Sequence, residues 1–453
     1  MNNDPREIVA GSRMGRLQIV AVIITIGLNA LDGFDVQAIS FAGPGIRAQW
    51  HLDPAALGVV LSMELIGMAL GSIFLGGAAD KIGRRRTMLG CLVAMATGMF
   101  MATRATTVVN LSVWRVLTGL GIGGMLASVN AVVSEFSNAK RKSLNVSIMS
   151  IGYPVGAVVG GVIVQHLLVG HDWRSIFYFG AAFTAIFIPL VLILVPESVH
   201  WLARKQPAGA LERINRTLKR MGHATVSALP SISSEVRRRS MSDIFRPGLV
   251  AITVIVTAAY FLNVMTFYFV VKWVPTIVVN MHFPVTSAAS VLTWTNVGGA
   301  IGGTIFGLLS MRFHLKPLTI ATMVLSTVMV IFFGHSPANL TDLKVICAVA
   351  DFFMNASICG MYSLFAQAFP THVRASGTGF AIGIGRGGAV IAPIIAGFLF
   401  QGGLAVSSVA TIMAFCSLAA ACVLGALKLG KGAAESADEV EVAPSAAGAT
   451  TAS

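Results

Sequence analysis

The 453 residues are 55% hydrophobic and only 11% charged, with a mean hydropathy of +0.79. A soluble domain carries about 25% charged residues, so that class is excluded. The apolar runs are helix-length, which excludes a membrane β-barrel with its short alternating strands.

The first long apolar run, roughly 17–42, is long enough to cross a bilayer, yet it holds Asp32 and Asp35. The i, i+3 spacing sets both on one helix face. Each acid costs about 3 kcal/mol at bilayer depth, so that face must turn to a protein interior or a wet cavity. A chain that keeps two acids there moves a proton or an ion. Eleven further apolar runs lie near 54–79, 87–104, 107–133, 143–168, 174–195, 247–277, 286–310, 317–335, 342–368, 375–400 and 404–427. The expected fold is all-α and polytopic, with twelve transmembrane helices in two pseudo-symmetric six-helix bundles.

The chain divides into an N-terminus at 1–16, a bundle at 17–195, a polar linker at 196–246, a second bundle at 247–427 and a tail at 428–453. The tail is rich in Ala, Glu and Ser and is predicted to be disordered. The first apolar run is too long for a signal peptide, and no small-residue cleavage site follows it. Five cysteines (Cys91, Cys347, Cys359, Cys416, Cys422) show no metal spacing and are expected as small core residues. No cofactor or metal is expected; the coupling ion would be a proton.

The net charge of +13 is a topology signal. With the N-terminus inside, 25 Lys and Arg fall on the inner side, 5 on the outer side and 2 within spans. That bias puts both termini in the cytoplasm, in a bacterial-type inner membrane. The charge is spread over many loops, so nucleic acid is not the expected partner. The two halves repeat at an offset of 233: Phe136 matches Phe369, Arg141 matches Arg374, Ser143 matches Ser376 and Gly152 matches Gly385. Each half holds an even number of spans, so the repeat is parallel. Parallel six-helix halves describe a rocker-type secondary transporter.

The loop between spans 2 and 3 reads Gly76-Gly77-Ala78-Ala79-Asp80-Lys81-Ile82-Gly83-Arg84-Arg85-Arg86. It resembles the major facilitator signature Gly-x-Leu-Ala-Asp-Arg-x-Gly-Arg-Arg/Lys, departing at Ala78. The resemblance implies a gating role for Gly76, Asp80, Gly83 and Arg84; the plainer reading is a solvated basic turn. The second-half copy is degraded, with Gly307 kept and Met311 in place of the Asp.

In span 4, Arg115 lies about eight residues in, roughly 12 Å deep at 1.5 Å per residue. It resembles the superfamily's buried span-4 arginine. It either partners a cavity acid or snorkels to the interface. Glu64 in span 2 and Asp351 in span 10 are further buried acids, and the sequence does not say which of them meets Arg115. The glycine strings at 119–124 and 383–388 follow no strand, so they are small-residue faces rather than phosphate loops. By the repeat, Tyr153 in span 5 corresponds to Arg386 in span 11. A mid-span arginine is costly unless it meets an anion, either a substrate carboxylate or a buried acid.

The segment Pro196-Glu197-Ser198-Val199-His200-Trp201-Leu202 resembles the Pro-Glu-Ser-Pro-Arg-Trp-Leu of many facilitators, departing at Val199 and His200. Residues 208–221 read as a basic amphipathic helix on the inner membrane surface. With Asp32-Gly-Phe-Asp35, Gly152-Tyr-Pro-Val-Gly156, Phe369-Pro-Thr-His-Val-Arg374 and Gly385-Arg386-Gly387, the chain resembles the aromatic acid:proton symporter family of the major facilitator superfamily. That resemblance implies proton-coupled uptake of benzoate- or 4-hydroxybenzoate-type anions, or relatives such as muconate, by a monomer in a lipid bilayer. Lys272, before Trp273-Val-Pro275, stands where a neutral residue is expected and is placed near the outer mouth.

An aromatic carboxylate has a pKa of about 4 and is an anion at neutral pH. Importing it against an inside-negative potential costs about 2.3 kcal/mol per 100 mV, which one co-transported proton cancels. The expected roles are Asp32 and Asp35 for the proton, Arg386 for the carboxylate, and Tyr153 and Trp294 for ring or hydroxyl contacts. In the alternative, one aspartate pairs permanently with Arg115 and only the other titrates. Competing functions are a proton-driven drug exporter, a sugar-type facilitator and a transport-inactive sensor. No nucleophile–base or metal constellation points to an enzyme.

Overall fold

The computed structural model describes residues 4–230, 244–245, 249–370 and 373–427. Among the described residues there are fifteen helices and no strand. A short α1 (Pro5–Gly11) precedes the first bundle: α2 (Arg16–Trp50), α3 (Pro54–Ile82), α4 (Arg84–Thr103), α5 (Val108–Phe136), α6 (Lys142–Leu167) and α7 (Arg174–Leu194). Two short helices, α8 (Val199–Lys205) and α9 (Ala210–Met221), form the described part of the linker. The second bundle is α10 (Val250–Asn280), α11 (Val285–Leu309), α12 (Leu315–His335), α13 (Leu340–Ala368), α14 (Arg374–Gln401) and α15 (Val406–Gly425).

Local chemistry fixes the helix ends. Asp53 caps α3, its carboxylate accepting from the Ala56 N–H at 2.7 Å, with Pro54 at the first helical position. Thr107 caps α5 through Asn110 at 3.2 Å. Gly83 separates α3 from α4 at φ +108, in the left-handed region where a side chain is strained. The predicted first span stops near 42, but α2 runs on through Pro44 to Trp50. Its extra turns pack on the other elements: Gly43 faces Thr276 and Gly45 faces Trp173.

Twelve helices are at least 20 residues long, and eleven of them are apolar enough to cross a bilayer. The exception is α11, which has the length but carries Thr293, Thr295 and Asn296, all buried. It packs on α13 and α6, so its polar residues meet protein.

The repeat extends over all six pairs of helices. Adding 233 to the first residue of α2–α7 gives the first residue of α10–α15 to within two positions. The contacts repeat as well, with α3 on α5 mirrored by α11 on α13. In both interfaces small residues let backbones touch: a Cβ on Gly119 would collide with the Glu64 carbonyl, and one on Gly298 with the Ala348 carbonyl.

The bundles meet through α3 on α14, α6 on α11 and α2 on α10. Among the described residues their polar links are few. Gln37 donates to Asn296 (2.6 Å), Arg47 to Asn280 (2.9 Å), Gln165 to Thr293 (2.9 Å) and Lys272 to the Val36 carbonyl (2.6 Å). Lys272 also faces Glu64, and Arg386 donates to the Met68 carbonyl (3.3 Å) and to Ser72 Oγ. Every link lies at mid-helix or on the side away from the chain termini. Among the described residues the terminal side of the interface has none.

The α9 helix departs from expectation. Its apolar residues Ile214, Leu218 and Met221 are buried in one cluster with Trp201 and Leu202 of α8, so protein rather than lipid covers that face. His223 bonds Gln18 at 2.9 Å. Burial pushes the His223 imidazole below its usual value, and does the same to His200, where Glu135 partly offsets it. Cys422 also departs: it is exposed, whereas Cys91 and Cys347 are buried. The lipid-facing side of a membrane helix is as apolar as its core, so hydropathy could not separate them. The predicted tail at 428–453, most of 231–248, and Thr371 and His372 lie outside the described residues.

Candidate functional site

Asp32 and Asp35 lie inside the first bundle, 2% and 0% exposed. Among the described residues, nothing donates a hydrogen bond to any of their four carboxylate oxygens. Asp35 points toward α7, where a Cβ on Gly180 would sit 3.5 Å from its Oδ1. Asp32 is within electrostatic reach of Cys91 on α4 and Tyr153 on α6. Gly33, between them, lets α2 and α6 touch: a Cβ there would strike the Tyr153 carbonyl. An ionised carboxylate buried without donors costs several kcal/mol. A bound proton would remove that charge and its cost.

Beside them sits a buried ionic cluster. Arg115, fully buried, pairs with Glu64 at 2.5 Å, lies over the Phe177 ring at 5.1 Å and donates to the main-chain oxygen of Asp35 at 3.2 Å. Of the two acids the sequence offered, Glu64 is therefore its partner, and neither aspartate carboxylate is held by it. Asp351 lies in the second bundle against Gly299 of α11, 1% exposed, with no donor to its Oδ1. Lys272 corrects the sequence expectation most clearly. It is not at a mouth but 0% exposed, reaching across the bundle interface to the Val36 carbonyl and to Glu64 at 3.9 Å. Its place on α10, two turns before the helix end at Asn280, buries it. Two cations thus share one carboxylate.

Arg386 is half-buried at the middle of α14. Its guanidinium donates to the Met68 carbonyl and Ser72 Oγ of α3. Among the described residues no carboxylate pairs with it, so the expected alternative of a structural ion pair is not found. Tyr260 and Tyr268 of α10 are within its electrostatic reach. The Tyr260 hydroxyl meets that of Tyr362 at 3.0 Å, and the Tyr260 ring packs where Gly385 has no side chain. Tyr153 is within electrostatic reach of Tyr268 and Tyr362. Tyr260 and Tyr268 are therefore the tyrosines nearest in effect to the guanidinium, with Tyr362 joined to them through the Tyr260 hydroxyl. Trp294 does not join them. It is 51% exposed, on a stripe with Ile301 and Leu308.

The signature loop forms its own cluster on the terminal side. Arg84 pairs with Asp80 at 2.9 Å and with Glu135 at 3.0 Å, and Arg204 reaches Asp80 at 2.7 Å. Glu197 accepts from the Arg84 N–H at 2.8 Å, and the Trp201 indole donates to the Asp80 carbonyl at 3.0 Å. A Cβ on Gly83 would collide with the Glu197 carboxylate, whereas one on Gly76 would find room, 3.9 Å from Ala127. This network ties α3, α4, α5 and the linker together. Among the described residues none of its polar contacts reaches the second bundle. Sequence reasoning missed Glu135 and Arg204 as members. It also missed Tyr260, Tyr268 and Tyr362, for which no motif exists. Glu197 was legible within its Pro-Glu-Ser segment.

The family model described as Major Facilitator Superfamily matches residues 25–393. A gallate transporter of Pseudomonas putida is 26% identical over 423 residues, covering 92% of this chain and 93% of that protein. The 4-hydroxybenzoate transporter PcaK of Pseudomonas putida is 27% identical, covering 86% and 87%. A cis,cis-muconate transport protein of Acinetobacter baylyi is 28% identical, covering 82% and 85%. Among solved structures, the xylose transporter XylE from E. coli aligns with a TM-score of 0.71 at 17% identity, over 92% of this chain and 97% of that one. The nucleoside transporter NupG aligns at 0.71 and 16% identity, over 91% and 98%. These two share the fold.

Proposed function

The chain belongs to the major facilitator superfamily, and from that premise we propose that it carries a small aromatic carboxylate across the membrane together with a proton. One observation carries the reading: Arg386 is a mid-membrane guanidinium with no acidic partner among the described residues and with Tyr260 and Tyr268 within electrostatic reach. A guanidinium fork binds a carboxylate through two parallel hydrogen bonds, and tyrosine rings and hydroxyls suit a hydroxylated ring. The names of the relatives, which carry gallate, 4-hydroxybenzoate and muconate, support the same class of cargo. A mid-membrane cation disfavours the cationic compounds that drug exporters move.

Asp32 and Asp35 hold the proton. They are buried and without donors among the described residues, and the Asp35 main chain touches Arg115 of the Glu64–Arg115–Lys272 cluster. The Lys and Arg bias supports termini on the cytoplasmic side of a bacterial-type inner membrane. On that orientation the polar ties among the described residues lie at mid-membrane and on the outer side. Alternating access then requires the Lys272, Gln37, Arg47 and Gln165 links to break.

A competition panel tests the cargo. Uptake of labelled 4-hydroxybenzoate should be inhibited by benzoate and gallate but not by methyl 4-hydroxybenzoate, which keeps the ring and loses the charge. Equal inhibition by the ester would remove the role given to Arg386.

A further inference from the structure

On the terminal side, the end of α7, the first turn of α4 and helix α9 enclose a cavity of about 160 Å³. Four guanidinium groups line it, from Arg85, Arg213, Arg216 and Arg220. The spacing of the last three puts them on one face of α9. Among the described residues only Arg216 makes an ion pair, with the exposed Glu212 at 2.8 Å. The acid in the lining, Glu197, is buried and committed to the backbone N–H groups of Arg84, Arg85 and Ser198. Arg85 anchors one nitrogen on the Leu192 carbonyl, while its Nε is buried with no partner among the described residues. A buried orphan donor costs about 1–3 kcal/mol. The cavity thus holds excess positive charge and a donor without an acceptor, which is the chemistry of an anion site.

The surroundings select the anion. Leu192 and Ile193, at the last turn of the membrane-crossing α7, are 47% and 67% exposed. Exposed apolar residues there place the cavity where hydrocarbon meets headgroups. The apolar face of α9 is covered by protein, so its basic face is turned outward. The volume suits one phosphate with its ester arms and is small for a drug-sized ligand. We propose that this cavity binds the phosphate of an anionic phospholipid, whose acyl chains run along the exposed end of α7. The site is separate from the transport site and stands whether or not the cargo is aromatic.

The test uses the full chain in detergent, with native mass spectrometry counting retained lipid. Phosphatidylglycerol should be retained in preference to phosphatidylcholine. Each arginine near an anionic lipid contributes about fivefold in affinity, so Arg213→Gln with Arg220→Gln should weaken phosphatidylglycerol binding about 25-fold. The Arg213→Lys, Arg220→Lys pair should keep most of it. If the Gln pair loses helicity, Arg213→Gln alone should still show a loss of about fivefold. Equal retention of the two lipids, or an unchanged affinity in the Gln variants, would overturn the proposal. Inorganic phosphate raising the melting temperature as much as phosphatidylglycerol does would assign the cavity to a soluble anion instead.

Discussion

On the proposed reading, cargo recognition turns on Arg386. A hydrogen bond to a charged group contributes about 1.5–3 kcal/mol, which is about 10- to 150-fold in affinity. Arg386→Gln should therefore raise the KM for 4-hydroxybenzoate by at least about tenfold. Arg386→Lys should recover part of the loss, since the charge stays and the fork does not. Initial uptake rates across a concentration series check this; an unchanged KM in the Gln variant would contradict it. The charged residues of the site were legible because a charge at bilayer depth is expensive and therefore conspicuous. Asp32, Asp35, Glu64, Arg115 and Arg386 all stood out on that ground. Trp294 and Cys422 misled for the converse reason: lipid and protein core are equally apolar, so hydropathy is silent on which way an apolar side chain faces.

Among the elements, α3 carries the pairing that joins the bundles. Glu64 faces both Arg115 and Lys272. Glu64→Gln leaves two buried cations without an anion, and breaking a buried pair from one side costs about 3–5 kcal/mol. Its melting temperature should fall well below wild type, and adding Arg115→Met should restore part of the difference. A double variant less stable than the single one would contradict the pairing. The linker offers a second expectation. Burial holds the His200 and His223 imidazoles below their usual value, so the undocked linker binds protons first. Docking should be intact above about pH 6.5 and weaken as the pH falls below it, through the lowered values. Hydrogen exchange across α8 and α9, corrected for intrinsic rate, should be faster at pH 5.5 than at 7.5; equal protection would contradict this. The basic periodicity of α9 was plain in the sequence. That its apolar face packs on α8 was not, because an amphipathic helix fits lipid and protein alike.

Across the whole molecule, the number and order of the long helices and their 233-residue repeat were readable from apolar runs and a few matched residues. The closure of the bundles on one side was not, because it depends on helix tilt and on pairs such as Arg47 with Asn280 that lie 233 residues apart. Those links, with Lys272, define which side is shut. The central claim is that buried carboxyls in α2 carry a proton alongside an anionic cargo. Its most direct test is uptake of labelled 4-hydroxybenzoate into proteoliposomes under an imposed pH gradient, acid outside. The account predicts accumulation above the external concentration, abolished by Asp32→Asn although that variant still inserts in the membrane. Uptake that ignores the gradient, or gradient-driven accumulation that survives Asp32→Asn, would contradict it.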